Sequence, residues 1–232
     1  MLRVATYNVR SLRDDREALV RVVAAMRPDV LCLQEAPRFA GWRRRRRDLA
    51  ARLGMTVAAG GRVGGVAVLA GSAVRVLRAR SLRLRWYAGL EWRAVALAVV
   101  EKDGDRYAVA SAHLDLVAGA RLRHAVEAVA FLEEAARGSR AWPVLGCDVN
   151  ERPDGPAWGH LARRYADCFT AAPRGDGRTF PSARPGARID AVFAGRGLEV
   201  LSCGDAGAGP ADLAAASDHR PVVAELRPSH AL

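Results

Sequence analysis

Strand-like segments recur along nearly the whole chain, and amphipathic helical patterns separate them without a linker. The strand patterns cover residues 3–9, 30–34, 55–59, 65–70, 73–84, 91–101, 106–114, 142–147, 188–194, 198–203 and 221–226. The helical patterns cover residues 15–27, 38–53, 119–137 and 156–164. Since so many strands alternate with helices and no dinucleotide-binding glycine fingerprint is present, the pattern predicts an α/β fold with two packed β-sheets flanked by helices.

Apolar periodicity and turn residues mark the ends of several of these elements. Leu19, Val23 and Met26 lie on one face of the helix predicted over 15–27, and Pro28 ends it. Asp103-Gly104 is typical of a tight hairpin turn, so the strands on either side of it are expected to pair.

The 232 residues, half of them hydrophobic, suffice for a sizeable core, and we expect one domain over 1–228 with a short tail at 229–232. No apolar run approaches the ~20 residues of a membrane span. The first eight residues become polar too early for a signal peptide. The four cysteines form no paired motif, and Cys32 and Cys147 lie in apolar strands, so we expect free thiols in a reducing cytoplasm.

The formal net charge is +11, from 36 basic and 25 acidic residues. Lys102 is the only lysine, and this preference for arginine, with abundant Ala, Gly and Val, indicates a GC-rich genome. Codon bias explains arginine over lysine but not the surplus of basic over acidic residues. That surplus is expected to attract polyanions such as nucleic acid.

Polar side chains stand at the ends of four apolar strands. Asn8 ends the first strand and Glu35 follows the second. Further along the chain, Asp148 ends one strand and Asp218-His219 precede the last one. Carboxylate, amide and imidazole groups in this arrangement suit a hard divalent cation and a phosphate.

Six short motifs, taken together and in this order, resemble the endonuclease/exonuclease/phosphatase superfamily. They are Thr6-Tyr7-Asn8-Val9, Gln34-Glu35, Ala112-His113-Leu114-Asp115, Gly146-Cys147-Asp148-Val149-Asn150, Arg188-Ile189-Asp190 and Ser217-Asp218-His219. The resemblance covers essentially the whole chain. It implies a four-layer α/β sandwich, with two mixed β-sheets face to face, helices outside and the active site at one edge.

The resemblance also guides the assignment of a metal site and of the groups that handle water. Glu35 is expected to bind Mg²⁺, which Mn²⁺ can replace, with Asn8 and Asp218 as partners directly or through water. Asp148 is expected to hold or deprotonate the attacking water. Asn150, on the same face of an extended segment, orients the nucleophile or donates to a phosphate oxygen.

The remaining catalytic assignments concern two histidines and their carboxylate partners. Asp190 is the natural partner of His219, because a carboxylate that accepts from one imidazole nitrogen stabilises the charged ring. His113 is expected to contact the phosphate from the other side, and Glu91 resembles the glutamate that supports this histidine in the secreted-deoxyribonuclease branch. The general base is either Asp148 or the Asp190–His219 pair.

Two residues point away from abasic-site repair. Arg10 stands where the repair endonucleases place an Asp, and His113 stands where they have a Tyr. The chain therefore resembles the branch with secreted deoxyribonuclease, sphingomyelinase and inositol-phosphate phosphatases. Arg10 either reaches a substrate phosphate or screens the acidic metal site. The other histidines, His124, His160 and His230, are expected on the helix and tail surface.

Arginines and aromatic residues provide the candidate substrate contacts. The loop 173–187 precedes the Asp190 strand, and its Arg174, Arg178 and Arg184 are the candidates for outer phosphate contacts. The run Arg43 to Arg47 either faces solvent or contacts a phosphate backbone, with Trp42 at its edge. Trp86-Tyr87 and Trp92 either line the substrate groove or pack in the fold.

These features predict a divalent-metal-dependent phosphoesterase, with hydrolysis of phosphodiesters in nucleic acid as the favoured reaction. The alternative enzyme acts on a small or lipid phosphate, of the inositol-phosphate or sphingomyelinase type. A third hypothesis is a non-catalytic polyanion-binding protein on the same scaffold, which the complete set of candidate catalytic residues opposes. No obligate protein partner is inferred.

Overall fold

Thirteen strands and six α-helices make up the described part of the chain. The computed structural model describes residues 1–204 and 207–229. The strands are β1 (Leu2–Asn8), β2 (Val30–Gln34), β3 (Met55–Ala59), β4 (Ala67–Gly71), β5 (Arg75–Arg83), β6 (Ala94–Lys102), β7 (Asp105–His113), β8 (Trp142–Asp148), β9 (Tyr165–Asp167), β10 (Pro173–Arg174), β11 (Asp190–Gly195), β12 (Leu198–Gly204) and β13 (Val222–Pro228). The helices are α1 (Arg16–Met26), α2 (Trp42–Arg52), α3 (Ala118–Ser139), α4 (Pro156–Arg164), α5 (Cys168–Ala171) and α6 (Pro210–Ala216).

The strands form two mixed sheets. Sheet A has the order β10-β12-β13-β1-β2-β4-β3, and sheet B has the order β5-β6-β7-β8-β11-β9. In sheet A the β1–β2 and β10–β12 pairs are parallel, and in sheet B the β7–β8 pair is parallel. All other pairs in both sheets are antiparallel.

Three apolar layers hold the sandwich together. The central layer lies between the sheets and includes Val4 of β1 and Val109 of β7. Tyr7 of β1 packs on the other face of sheet A, in the layer that α1, α2 and α6 cover. The third layer joins sheet B to α3 and α4. Because both faces of β1 are buried, most of its positions before Asn8 are apolar, with half-buried Arg3 and buried Thr6 as the exceptions. The predicted four-layer α/β sandwich is confirmed.

Several predicted boundaries are confirmed by local geometry. The Asp15 side chain accepts from the backbone N–H groups of Glu17 and Ala18 and begins α1. Arg27, just before Pro28, ends α1 in a left-handed conformation. Asp103 and Gly104 both have positive φ, as a two-residue hairpin turn requires.

Other boundaries differ from the sequence pattern. β6 begins at Ala94 rather than at 91, and α2 begins at Trp42 rather than at 38. The elements β9, β10, α5 and α6 were not predicted, because two to seven residues are too few to show a period. His124 was expected on the surface but is buried, with Nε2 2.8 Å from the Arg85 carbonyl oxygen.

The structure describes only the beginning of the expected tail. Of the expected tail 229–232, Ser229 is described, and its N–H donates to the Gly197 carbonyl oxygen at 2.7 Å. Residues 230–232, His230 among them, lie outside the described part.

Within residues 1–204 and 207–229, no helix has the length and hydropathy that a bilayer span needs.

Candidate active site

Sheet register brings three predicted site residues into one row. His113 is paired with Asp148 at the last position of the parallel β7–β8 ladder. Asp190 is paired with Asp148 at the first position of β11. Asn8 ends β1 in the opposite sheet, next to Gln34. The row therefore lies where the two sheets meet at one edge of the sandwich.

Asp148 is the centre of this group. Its Oδ2 accepts a hydrogen bond from Asn8 Nδ2 at 2.9 Å and lies 3.4 Å from His113 Nε2. The same oxygen is 3.9 Å from His219 Nε2. Its Oδ1 accepts from the backbone N–H of Asn150 at 3.1 Å. Residues from both sheets thus converge on one fully buried carboxylate.

Asp190 and His219 form the predicted carboxylate–imidazole pair. Asp190 Oδ2 lies 2.9 Å from His219 Nδ1, so Nε2 is the imidazole nitrogen nearer Asp148. The Thr179 hydroxyl accepts from the Asp190 N–H at 3.3 Å, and the Phe180 ring packs against the His219 ring at 4.9 Å. The pair is therefore held from the loop before β11 as well as from its own strands.

The pKa values of His113 and His219 differ because of their surroundings. Burial alone would lower the pKa of His219, but Asp190, through its charge and hydrogen bond, and Asp148 raise that pKa to about 9. Burial lowers the pKa of His113 to about 3, although Asp148 opposes this. Burial and the charge of Asp190 raise the pKa of Asp148. At neutral pH, His219 is accordingly charged and His113 is neutral.

Strained backbone surrounds the same group. Of the eight non-glycine residues with positive φ in the described chain, five flank the site: Arg10, Ser11, Leu12, Glu35 and Asn150. The Arg10 N–H donates to Asn8 Oδ1 at 3.0 Å, and the Ser11 N–H donates to the Glu35 carbonyl oxygen at 2.9 Å. Such conformations cost about 1–3 kcal/mol each and persist where neighbouring contacts impose them. Here those contacts join the Asn8 and Glu35 motifs.

The donor groups fit a hard divalent cation. One potential ligand atom from each of Asp148, Asp190 and His219 lies within 4.8 Å of the others, a set that differs from the predicted Glu35, Asn8 and Asp218. Asn8 Nδ2 also bonds Glu35 Oε1 at 3.2 Å, so two carboxylates share a single amide donor. Asp190 Oδ1 is buried without a hydrogen-bond partner in the described chain. Carboxylate and amide oxygens are the donors that such cations prefer.

Arg10 and Asn150 occupy positions that refine their predicted roles. Arg10 Nε is 3.2 Å from Asp218 Oδ2, which favours screening of the acidic metal site over contact with a substrate phosphate. The prediction that the segment through Asn150 is extended is wrong, because Asn150 has a φ of 53°, in the left-handed region. Its Nδ2 donates to the Leu114 carbonyl oxygen at 3.0 Å. The residue therefore ties the strand ends of β7 and β8 together.

The structure does not bring Glu91 to His113. Glu91 lies before β6, is exposed, and pairs with Arg38 Nη2 at 3.0 Å. Its register was inferred from a strand beginning at 91, and the actual start at Ala94 leaves it in the preceding loop. Buried Arg93, whose Nε is 3.6 Å from Asp115 Oδ2, and Arg38 are cations whose charge acts on His113 and lowers its pKa.

The loop 173–187 borders the site as predicted, but its arginines are exposed. Arg174 and Arg178 line a cavity of about 310 Å³ that also reaches Asp190, and Arg184 lies outside that lining. The loop is fastened to the site by residues that the sequence did not single out. The Ser182 N–H donates to the Asp218 carbonyl oxygen at 2.7 Å, and Thr179 supports Asp190.

Ser217 and Gln34 are further residues whose importance was missed. Ser217 Oγ donates to the Asn8 carbonyl oxygen at 2.7 Å and joins β1 to the His219 segment. Gln34 Nε2 donates to Ser111 Oγ at 3.0 Å and links the two sheets beneath the site. Both residues stand inside recognised motifs, so their position next to Asp218 and Glu35 was the available signal.

A buried Asp–His pair, a second buried carboxylate and a hard-cation donor set at the edge of two facing sheets define a hydrolase of the phosphoesterase class. The model of the Endonuclease/Exonuclease/phosphatase family matches residues 5–219, and the chain belongs to this family. None of the curated protein sequences matches the chain.

Solved structures share the fold at low sequence identity. An endonuclease/exonuclease/phosphatase from Bacteroides vulgatus is 20% identical, with a TM-score of 0.80 and 98% of each chain covered. A mannosyl-6-phosphatase of Bacteroides thetaiotaomicron is 19% identical, with a TM-score of 0.81, 98% of this chain and 100% of that one covered. The human nocturnin catalytic domain is 18% identical, with a TM-score of 0.74, and the match covers 98% of this chain and 94% of that one.

Proposed function

We propose that this protein is a Mg²⁺-dependent phosphodiesterase whose preferred substrate is nucleic acid. The observation that carries the reaction type is the convergence of Asn8, His113, His219 and Asp190 around the buried carboxylate of Asp148. The surplus of 11 positive charges supports a polyanionic substrate.

Glu35, Asn8 and Asp218 would hold the ion. A bound divalent cation would neutralise charge on the phosphate oxygens and make the phosphorus easier to attack. Mn²⁺ is expected to replace Mg²⁺, because both accept carboxylate and amide oxygen ligands. Arg10 next to Asp218 would limit the repulsion between this acidic cluster and the phosphate.

The protein's own side chains would divide the proton transfers between them. Asp148, whose pKa is raised by burial and by Asp190, is proposed to take the proton from the attacking water. His219, held at Nδ1 by Asp190, would donate from Nε2 to a phosphate or leaving-group oxygen. His113 would position Asp148 through its Nε2, and Asn150 would fix the Asp148 Oδ1 orientation through its N–H.

A phosphatase acting on a small or lipid phosphate is the second candidate. The observation in its favour is the fold match to a mannosyl-6-phosphatase over the full length of that chain. Its substrate would offer only one to three charges, so most of the arginine surplus would have no role in recognition.

We also propose a cytoplasmic location, which the four free cysteines support.

The test is a substrate panel with metal-stripped protein to which Mg²⁺, Mn²⁺ or no metal is returned. The panel contains single- and double-stranded DNA, RNA, phosphoinositides, a hexose 6-phosphate and an aryl phosphodiester. We expect metal-dependent turnover with the highest kcat/KM on a nucleic acid. A higher kcat/KM on a hexose 6-phosphate or phosphoinositide would establish the second candidate, and no turnover with either metal would indicate a binding protein.

A further inference from the structure

A groove with aromatic and arginine walls opens beside the candidate active site. Its walls come from the loops before α2, before β4 and before β6 and from the end of β5, and its volume is about 520 Å³. We call it the aromatic–arginine groove, and its principal residues are Arg38, Phe39, Arg62, Arg83, Glu91 and Trp92. None of these residues has a role in the reaction proposed above.

The groove shares its framework with the active site. The Ala36 N–H donates to the Gly65 carbonyl oxygen at 2.7 Å, which joins the segment after Glu35 to the loop before β4. A Cβ on Gly65 would lie 3.5 Å from the Glu35 Cα and 3.6 Å from the Arg38 Cδ. The loop that bears Gly65 therefore packs directly against both the Glu35 segment and the groove residue Arg38.

Two aromatic rings in the groove are partly exposed to water. Phe39 is 62% exposed and Trp92 is 49% exposed. The Trp86 ring stacks on Trp92 with centroids 5.4 Å apart and planes 17° from parallel, and Trp86 Nε1 donates to the Leu90 carbonyl oxygen at 3.1 Å. The loop is thus ordered by its own contacts while apolar ring surface remains in water. Exposed apolar clusters of this kind mark binding surfaces.

The charges of the groove favour an anion. Glu91 is paired with Arg38 at 3.0 Å, which leaves Arg62 and Arg83 without a carboxylate partner among the described residues. Buried Arg46 donates to the carbonyl oxygens of Pro37 and Gly61 and braces two of the walls. The other arginines of the same run are exposed on α2, just beyond Phe39. Positive charge therefore extends outward from the groove.

We propose that the aromatic–arginine groove binds an unpaired nucleotide of a single-stranded nucleic acid next to the scissile phosphate. Phe39 and Trp92 stack on the base, and Arg62 and Arg83 contact the adjoining phosphate. This inference deepens the proposed function and rests on it for the position of the scissile phosphate. The exposed arginines of α2 follow the strand outward.

The occupant is single-stranded because bases in a duplex already use their faces for stacking. Trp86 covers one face of the Trp92 ring, and the Arg38 guanidinium lies 5.3 Å from the Phe39 ring centroid, so each ring would offer its remaining surface to an unpaired base. A lipid surface fits less well, because insertion of Trp92 would carry the Arg38–Glu91 ion pair into a medium of low dielectric constant, where desolvation opposes burial.

The test separates base recognition from charge recognition. Two fluorescent oligomers of equal length and phosphate number are used, one of thymidylate and one abasic, with full-length Asp148→Asn protein in Mg²⁺ to prevent cleavage. We expect the thymidylate oligomer to bind about 5- to 100-fold more tightly than the abasic one. Phe39→Ala and Trp92→Ala should each reduce that ratio, whereas Trp92→Tyr, which keeps a ring, should preserve it.

Leu201→Ala is the matched control, since Leu201 is exposed on β12, across β13, β1 and β2 from β4. Equal binding of both oligomers, a ratio unchanged by Phe39→Ala and Trp92→Ala, or equally tight binding of thymidine monophosphate or duplex DNA would overturn the proposal. Thermal melting verifies that the variants fold. If the protein binds bases selectively but shows no turnover, the groove proposal holds and the proposed phosphodiesterase activity is refuted. If it shows turnover without base selectivity, the phosphodiesterase activity holds and the groove proposal is refuted.

Discussion

At the scale of single residues, Asp148 joins the two halves of the site. Its two oxygens contact groups from β1, β7, the segment before β13 and the turn at Asn150. Because burial and Asp190 raise its pKa, it is better suited to accept a proton than an exposed carboxylate. His219 has the opposite character, since Asp190 stabilises its charged form.

Removing either group should abolish most of the activity. We expect Asp148→Asn and His219→Ala each to lower kcat by about 10²-fold or more on the best substrate, the usual scale for a general acid or base. Circular dichroism and thermal melting should show folded proteins. Near-wild-type turnover by either variant would refute the division of proton transfers proposed above.

Glu35 carries a separate prediction about the ion. Its Oε1 accepts from Asn8 Nδ2, and no arginine or lysine pairs with it within the described residues. Glu35→Gln should therefore raise the Mg²⁺ concentration needed for half-maximal activity and slow turnover. A metal titration of activity, supported by calorimetry of Mg²⁺ binding, measures this. An unchanged titration curve would remove Glu35 from the ion's ligands.

Arg188, two residues before the start of β11, is engaged in contacts within the protein. Its two terminal nitrogens donate to the Asp167 carboxylate at 2.8 and 2.9 Å, and its guanidinium stacks on the Trp158 ring at 4.6 Å. Burial would raise the pKa of Asp167, but the hydrogen bonds from Arg188 hold that pKa below its ordinary value. This pair anchors the start of β11, where Asp190 begins.

The pH dependence of this pair follows from the lowered pKa. As pH falls, Asp167 is protonated in the unfolded chain before it is protonated in the folded protein. The stabilisation by the Arg188–Asp167 pair is therefore complete above pH ~4 and is lost as pH falls through the folded-state pKa of Asp167. Asp167→Asn should lower the free energy of unfolding by about 2–3 kcal/mol at pH 7, and the deficit should shrink toward pH 3. Urea denaturation across that range tests it.

Asp48→Asn is the control for that experiment. Asp48 forms the exposed Arg44–Asp48 pair on α2, at 3.6 Å, and its loss should change the free energy of unfolding by no more than about 0.5 kcal/mol. A deficit of Asp167→Asn that is equal at pH 3 and pH 7 would mean that packing, and not charge, stabilises this position.

At the scale of elements, close approach of the sheets positions the catalytic strands. Gly146 of β8 faces sheet A, where a Cβ would lie 2.7 Å from the Cys32 Cβ and 3.0 Å from the Thr6 Cβ. Gln34 and Ser111 hydrogen-bond across the same gap. The glycine two residues before Asp148 therefore allows β8 to lie against β1 and β2 at the depth where Asn8 reaches Asp148.

Gly146→Ala should consequently affect both stability and activity. Overpacking of this kind costs about 1–3 kcal/mol, and the displaced β8 should move Asp148 away from Asn8. Gly138→Ala, in α3 with no atom within 4 Å of the added Cβ, should instead be neutral or slightly stabilising. Melting temperatures and kcat of the two variants provide the comparison. Wild-type stability and kcat in Gly146→Ala would contradict this account.

At the scale of the whole molecule, arginines lie both beside the site and at the far end of the sandwich. Arg174, Arg178 and Arg184 are exposed on the loop that borders the site. Arg137, Arg140 and Arg196 line a cavity at the opposite end of sheet B, where β8 begins. Each set carries three positive charges. Comparing the removal of one set with the removal of the other therefore distinguishes local phosphate contacts from the effect of the protein's overall electrostatic field.

Salt dependence of binding distinguishes the two sets. With Asp148→Asn protein, affinity for single-stranded DNA should fall steeply between ~50 and 200 mM salt, with a log–log slope near −0.7 per phosphate contact. Replacing Arg174, Arg178 and Arg184 by Ala should reduce the slope by about 2, if each makes one contact. The Arg137, Arg140 and Arg196 triple variant should change it much less. Equal effects would assign the binding to net charge alone.

The sequence by itself determined the architecture and most of the central site. Apolar strand patterns and helix stripes predicted two packed sheets flanked by helices, because burial imposes that composition directly, and the motif resemblance implied the four-layer arrangement. The motif order placed Asn8, Asp148, Asp190 and His219 together. The Asp190–His219 hydrogen bond was predicted because the chemistry of an imidazolium calls for a carboxylate beside it.

Only the tertiary structure decided the contacts that depend on register and on loops. Glu91 and Arg38 became partners because β6 starts at Ala94, a shift of three residues that no periodicity could show. Arg46, within a run of identical residues, is the buried brace because α2 turns that one position toward Pro37 and Gly61. Local pattern reports which residues are buried, whereas the pairing of distant loops follows from how the layers pack.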